Sequence, residues 1–299
     1  MNLIRPFDPW RSPLCTCPPK YSLHPYTGCT HKCLYCYASA YVGYKDSIPK
    51  KDFIKRLYRE LPKVNKLYPI VLSTSSDPYP PLELKTSLTR RTLNLLISNN
   101  FKIQIVTKSD IVVRDLDTLK RGRVTVSITI TTLDERIAKI IEPNAPSPKK
   151  RLNAIKILSK EGIPVSVRID PVIPYLTDDS SDLKELVEKV VEVGASHIVT
   201  STYKARYDNL ARMIEAFPDL TYKLKKMYIE EGVRMHGYFY LKKSLREKML
   251  KPVTMAAKNY GITYATCREG LLTKEYFNAP SCDGTHLIYM RKRDVLSNE

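Results

Sequence analysis

No run of the roughly 18–20 consecutive apolar residues needed for a membrane-crossing helix occurs in the 299-residue chain. The opening Met1-Asn2-Leu3-Ile4-Arg5-Pro6 also lacks the apolar core of a secretion signal. Together these two absences lead to the expectation of a cytoplasmic protein with no membrane partner. Acidic residues are scarce: 31 Asp and Glu stand against 49 Lys and Arg, a net charge of +18. That surplus favours polyanionic partners, chiefly DNA or RNA, through phosphate contacts and counterion release. The plainer reading is a solvated, lysine-rich surface, since the charge is spread out and no nucleic-acid module accompanies it. Internal repeats and low-complexity linkers are absent as well. With 43% hydrophobic and 27% charged residues the composition is that of a globular protein, long enough to bury a core without staples.

Five apolar, β-branched runs are present: Ile70–Thr74, Ile103–Thr107, Val124–Ile130, Val165–Ile169 and Ile198–Thr202. All five predict strands, and the second, third and fourth show period-two alternation, clearest in Val124, Val126, Ile128 and Ile130. Between them, Ser147-Pro148 predicts the start of a helix that stops at Gly162, and Asp182 with Glu185 predicts a capping box for one that stops at Gly194. Alternating strands and helices imply right-handed βαβ units and a parallel sheet. A further strand within Tyr21–Tyr26 makes six units, too few for a closed eight-stranded barrel. The expected fold class is therefore α/β, a partial parallel (βα)6 barrel with a helical, basic C-terminal extension. The expected divisions are an N-terminal arm over 1–20, the barrel over 21–225, and an extension or lid over 226–299. Runs around Ala205–Phe217, Leu220–Arg234 and Leu241–Tyr260 read as helices appended to the barrel, not as another βα unit.

Seven cysteines without secretion signals argue for metal and against disulfides. Cys29, Cys33 and Cys36 form a C-x3-C-x2-C loop directly after a predicted strand. Three thiolates in a short loop suit one face of a 4Fe-4S cube and leave one iron open, as catalytic metal sites do. The alternative is a zinc loop that recruits His24 or His31 as a fourth ligand.

Further motifs bear on the choice. Pro25-Tyr26-Thr27-Gly28 precedes the cysteines and Tyr37-Ala38 follows them. Then come Ser76-Asp77-Pro78-Tyr79 with Glu83, Thr107-Lys108-Ser109, Arg114-Asp115, Glu142-Pro143 with Arg151-Leu152, and Pro171-Val172-Ile173-Pro174. In order and spacing, over roughly residues 13–200, the chain resembles the radical S-adenosylmethionine (SAM) superfamily, in its spore photoproduct lyase-like ("DNA repair photolyase") branch. The resemblance implies a partial barrel of the radical SAM type, and a cluster on Cys29, Cys33 and Cys36 whose open iron is chelated by SAM. It further implies reductive cleavage of SAM to a 5′-deoxyadenosyl radical, fed by a flavodoxin- or ferredoxin-like electron donor. Carried over by position, Lys108 and Ser127 are SAM contacts, and Tyr35 and Tyr37 match tyrosines that flank the last cysteine. Asp77, Arg168 and Asp170 are candidates for polar contacts with SAM or substrate, because barrel enzymes gather such groups at strand C-termini. Each also has a structural reading, Asp77-Pro78 as a turn and Arg168 with Asp170 as an ion pair. One departure stands out: Thr74 occupies the place of the lyase's hydrogen-donating cysteine. A hydroxyl O–H bond is much stronger than a thiol S–H bond, so spore photoproduct repair is not expected. The Gly-Gly-Glu segment of many radical SAM enzymes is absent too, as it is in this branch.

The other cysteines, Cys15, Cys17, Cys267 and Cys282, match the ligand count of a closed site and lead to the expectation of a second shared metal, zinc or iron–sulfur. Four unrelated buried thiols are the alternative. Between Tyr238 and Tyr260, Lys242, Lys243, Arg246, Lys248, Lys251 and Lys258 face the single acid Glu247, among Tyr238, Phe239, Tyr240 and Tyr260. Such rings suit base stacking and such cations suit phosphates. Three functions are compatible with all this: a radical SAM enzyme on nucleic acid or a nucleotide-like substrate, one on a peptide or small metabolite, or a non-enzymatic zinc protein that binds nucleic acid. The cysteine loop gives the sharpest test. Cys29→Ala, Cys33→Ala and Cys36→Ala each are expected to abolish formation of 5′-deoxyadenosine from SAM under dithionite. Turnover at the wild-type rate in any one of them would remove the loop from the chemistry.

Overall fold

The apolar β-branched runs form the middle of one eight-stranded sheet in the computed structural model, which describes residues 2–7 and 12–290. Its strands, in spatial as in chain order, are β1 (Arg5–Pro6), β2 (Tyr21–Leu23), β3 (Ile70–Leu72), β4 (Lys102–Thr107), β5 (Arg123–Thr129), β6 (Val165–Val172), β7 (His197–Thr202) and β8 (Thr263–Thr266). From β2 to β8 all neighbours run parallel, while β1 pairs antiparallel with β2. The order never reverses, so the sheet has two edges, β1 with β2 on one side and β8 on the other.

Alternation along each strand sorts the side chains into two environments. Val124, Val126 and Ile128 of β5 and Val165, Val167 and Ile169 of β6 pack into one core with Ile155 and Leu158 of the helix Pro148–Lys160 and with Leu186 and Val190 of the helix Ser180–Glu192. The residues between them, Thr125, Ser127 and Thr129 on β5 and Ser166, Arg168 and Asp170 on β6, face the other way. The inner face of the partial barrel is therefore polar although Thr125, Ser127 and Ser166 are fully buried. Helix ends follow the sequence closely. Ser147 precedes Pro148, and Gly194 ends its helix with Gly194 N–H to Val191 O and Ala195 N–H to Val190 O, both 2.9 Å. The cap of Ser180–Glu192 lies three residues upstream of the expected box: Asp179 accepts from the N–H groups of Ser181 and Asp182 at 2.7 and 3.1 Å.

The C-terminal region departs from expectation. Helices Tyr207–Ala216 and Lys243–Asn259 are present as read, but the second leads into β8, in register Thr263↔His197 and Ala265↔Val199 beside β7. A seventh parallel strand thus extends the expected six, and the region does supply another unit of the barrel. Thr-Tyr-Ala-Thr is too short and too little apolar to announce a strand. Val233–Met235 and Tyr238–Tyr240 form a hairpin turned by His236 and Gly237; it takes the last two residues of the helical run expected over Leu220–Arg234 and fills the gap before the next run. Beyond β8, the tail meets the beginnings of the strands and not the face that carries the cysteine loop. Gln104 Nε2 donates to Asp283 O at 2.6 Å, Thr263 Oγ1 lies 3.4 Å from His286, and Gly284 rests against Ser166.

Gly284 has φ +82° and a Cβ there would stand 2.8 Å from Ser166 Cβ. Gly284→Ala is expected to destabilise the protein by about 1–3 kcal/mol through strain and overpacking, read as a lower urea midpoint. An unchanged midpoint would mean that the tail does not pack against β6.

Candidate functional site

Gly28 fixes where the cysteine loop begins. Its φ is +78° and a Cβ would fall 2.4 Å from Asp46 O, so only glycine lets the chain pass. Cys29 N–H then donates to Lys45 O at 2.9 Å. The loop's carbonyls are tied down one after another: Tyr44 hydroxyl to Lys32 O at 2.6 Å, Arg212 to Leu34 O and Cys36 O at 3.1 Å each, and Asn209 Nδ2 to Tyr35 O at 3.1 Å. A loop whose carbonyls are pinned holds its thiols in a fixed arrangement. Cys33 is buried, Cys29 and Cys36 partly so. Burial pushes the Cys29 thiol up to about 12, with Asp77 adding to the effect, and burial likewise raises Cys33. A metal that takes these sulfurs as thiolates would displace their protons to solvent on binding.

Beneath the loop lies a buried charged network. Glu142 accepts from the Tyr35 hydroxyl, pairs with Arg151 Nη2 at 2.5 Å and stands 4.0 Å from Lys108 Nζ. Burial alone would raise its carboxyl, but Arg151 and Lys108 outweigh burial and hold it below the usual range. Arg151 also donates to Pro146 O and Thr129 O, joining the loop to the end of β5. Lys108 is held above its usual value by Cys33 and Glu142 in spite of burial, and its ammonium lies 5.5 Å from the Tyr35 ring centroid. Asp77 is fully engaged: it accepts from Thr107 Oγ1 and Lys108 N–H at 2.7 Å and from Tyr79 N–H at 2.8 Å, with His31 Nε2 at 3.2 Å. It therefore ties the loop residue His31 to the end of β4. His31 Nδ1 sits 3.3 Å from Asn144 O and His24 Nδ1 3.4 Å from Ser75 Oγ, so both histidines of the zinc alternative have other neighbours.

On the inner face, Ser127 and Ser166 are register partners, and neither buried hydroxyl has a hydrogen-bond partner. Arg168 pairs with Asp170, and Asp170 also accepts from Ser201. Tyr37 is half-buried and meets Tyr238 edge-on at 5.6 Å, with the Arg268 guanidinium 5.6 Å from its own centroid. Thr74 lies just past the end of β3, in the turn around Ser73. Residues that sequence reasoning missed complete the chamber. Glu269 is buried and accepts from Thr202 N–H at 2.7 Å, Lys204 Nζ at 3.0 Å and Arg246 Nη1 at 3.1 Å. Its only signal was its place in the cysteine-containing stretch Cys267-Arg268-Glu269.

The remaining cysteines come from opposite ends of the chain to one place. Cys282 Sγ lies 3.5 Å from Cys17 Sγ, with Cys15 beside Cys17 and Cys267 beside Arg168. Among the described residues, no three Cys, His, Asp or Glu side chains surround a single point as an ion requires. The basic stretch from Tyr238 to Tyr260 does not form the expected stacking surface. Tyr238, Phe239 and Tyr240 are buried, Arg246 is buried on Glu269, and Lys242, Lys243 and Lys251 pair with Glu231, Glu247 and Glu275. The hairpin, unread in the sequence, turns those rings inward.

A three-thiolate loop at the start of a polar-lined parallel half-barrel is the signature of one class, and the Radical SAM superfamily model matches residues 23–190. The chain belongs to the radical SAM superfamily, and membership implies a 4Fe-4S cluster and SAM. The donor set fits that group, with three thiols on a pinned loop and unpaired hydroxyls on the adjoining inner face. Among its relatives, an uncharacterized protein of Methanocaldococcus jannaschii is 36% identical over 172 residues, covering 53% of this chain and 62% of that protein, under two thirds of its length. A radical SAM Nα-GlyT isomerase of Pseudomonas phage M6 is 24% identical over 257 residues, 82% of this chain and 53% of that one. In fold the chain is similar to a spore photoproduct lyase mutant with bound AdoMet and dinucleoside spore photoproduct, at TM-score 0.66 and 14% identity, covering 80% of this chain and 74% of that one. No helix among the described residues is long and apolar enough to cross a membrane.

Glu142 supplies a pH test. Its folded carboxyl is depressed, so the stability it contributes is present above its ordinary value and is lost as pH falls through the folded one. Arg151→Met leaves that carboxylate short of its main partner and is expected to cost about 3–5 kcal/mol at neutral pH. In the variant burial dominates, so the deficit shrinks as pH falls to about 4.3 and the group protonates. A deficit equal at both pH values, by urea denaturation, would show that Glu142 is not charged in the fold.

Proposed function

We propose that the protein cleaves SAM reductively and uses the resulting radical to take a hydrogen atom from a nucleic acid or nucleotide-like substrate. The cluster, when bound, supplies the electron that breaks the SAM sulfonium bond, and the radical leaves as 5′-deoxyadenosine once it has abstracted hydrogen. The chain's own groups bind and orient. Lys108 and Ser127 at the ends of β4 and β5 are SAM contacts in this reading, with Ser127 offering an unpaired buried hydroxyl. Arg168 and Asp170 are the polar pair that reaches SAM or substrate, Tyr35 and Tyr37 flank the last cysteine, and Asp77 positions the loop through His31. The observation that carries the proposal is the three-thiol loop itself, its carbonyls pinned and its flanks held by Lys108, Glu142 and Asp77 at the strand ends.

Three considerations favour a nucleic-acid or nucleotide-like substrate: the charge of +18, the bound dinucleoside in the similar lyase, and a phage relative of this superfamily. Thr74 argues for a reaction other than spore photoproduct repair. The electron would come from an acidic flavodoxin- or ferredoxin-like protein in a cytoplasmic setting. A cavity of about 510 Å³ beside the loop is lined by Arg206, Arg212 and Arg234 with Tyr44 and Tyr207; Asp208 in the same lining pairs with Arg206 and Arg212, which leaves a net positive rim for such a partner.

The test is anaerobic incubation of the reconstituted protein with SAM and dithionite, with DNA and RNA oligonucleotides in separate arms and peptides in another. Nucleic acid is expected to raise 5′-deoxyadenosine formation and to yield a nucleoside of altered mass, and a spore-photoproduct dinucleotide to stay unconverted. Stimulation by peptides alone would sink the substrate assignment while leaving SAM cleavage intact.

A further inference from the structure

The two edges of the sheet never meet, yet the segments that leave them do. Cys15 and Cys17 lie on the arm that enters β2, and Cys267 follows Thr266 at the end of β8. Cys282 lies in the turn beyond, and its Sγ comes within 3.5 Å of Cys17 Sγ across 265 residues of sequence. Cys15 touches Cys17 from the other side. Cys267 is on the same inner surface, held by Arg168. A buried ion pair, Lys20 with Asp283, fastens the same two segments, and both partners adjoin the thiols. None of the four thiols belongs to the cluster loop, and no other cysteine exists in the chain outside these two groups.

We propose that Cys15, Cys17, Cys267 and Cys282 hold one tetrahedral zinc ion that clasps the open seam of the partial barrel. The geometry of the Cys17–Cys282 pair favours a single ion. Zinc–sulfur bonds of about 2.3 Å at tetrahedral angles place neighbouring sulfurs about 3.8 Å apart, close to the 3.5 Å observed. An iron–sulfur cube instead seats each thiolate on its own iron, with the sulfurs spread wider. Among the described residues no three donors surround one point, but Cys15 adjoins Cys17, and Cys267 lies near enough to Cys17 and Cys282 to feel their charge. Cys15 and Cys267 both lie outside helices and strands, so gathering the four sulfurs on one ion draws on loop residues. Four thiolates carry excess negative charge, and Lys20 and Arg168 are the cations that face them. With four protein ligands the ion has no open position, so its role is structural, a cross-link between arm and tail. It stands independently of the substrate proposal above.

The test is metal analysis of the full chain, purified anaerobically with a thiol reductant present. About one zinc per chain is expected in addition to cluster iron. Cys17→Ser and Cys282→Ser are expected to lower zinc at least about tenfold while iron stays, because each removes a ligand. Cys29→Ala is expected to do the reverse, so the clasp and the cluster fail separately. X-ray absorption at the zinc edge of the wild-type chain covers the case in which a serine variant does not fold, with four sulfur neighbours near about 2.3 Å expected. Wild-type protein without stoichiometric zinc, zinc bound by fewer than four sulfurs, a doubled iron content, or a Cys17–Cys282 disulfide in the reduced preparation would each overturn the proposal.

Discussion

One buried carboxylate organises the end of the barrel where chemistry is expected. Glu142 lies between the cysteine loop and the strand ends, and it gathers Tyr35 from the loop, Arg151 from the helix after β5 and Lys108 from the end of β4. A charge in that position is tolerable only because its partners surround it, since an uncompensated buried carboxylate costs several kcal/mol. The constraint works in both directions. Glu142 needs the loop in place to be satisfied, and the loop needs Glu142 to hold Tyr35 inward. Asp77 does the same on the other flank through His31 and the backbone of Lys108. The thiols are thus presented by two carboxylates that touch no metal themselves, the kind of outer support that fixes ligand orientation.

The barrel was legible in the sequence because its strands alternate so regularly. Val124, Val126 and Ile128 announce a strand and also which face meets helices, and the structure keeps that division along β5 and β6. The cysteine loop was legible because its spacing is local. What escaped were features whose physical cause lies far off in sequence. β8 has four residues and forms because β7 offers it a parallel partner, not because its own pattern demands it. Tyr238 and Tyr240 look like stacking groups beside a run of lysines until the hairpin buries them. Glu269 carries no local signal beyond its place two residues after Cys267, and its role comes from three donors at residues 202, 204 and 246. Pattern reads the periodic parts of a fold, and ionic networks between distant loops are the part it cannot read.

The polar inner face explains how one scaffold can serve a reaction that proceeds through radicals. Apolar residues on the outer faces of β5 and β6 supply the stability, packed against helices and kept away from the reaction. Hydroxyls and ion pairs on the inner face are then free to be chosen for the ligands they meet. Ser127 and Ser166 remain without partners inside the protein, which is costly unless a ligand or water meets them.

The pairing of Lys20 with Asp283 spans 263 positions in the chain. Contacts of that span form late, because every intervening strand must be in register before the two segments can find each other. While the chain folds, the strand beginnings of the half-barrel therefore stay open until its tail docks against them. Chain order then acts as a timetable: the loop cysteines come early, and the segment that covers the opposite end follows every strand of the sheet.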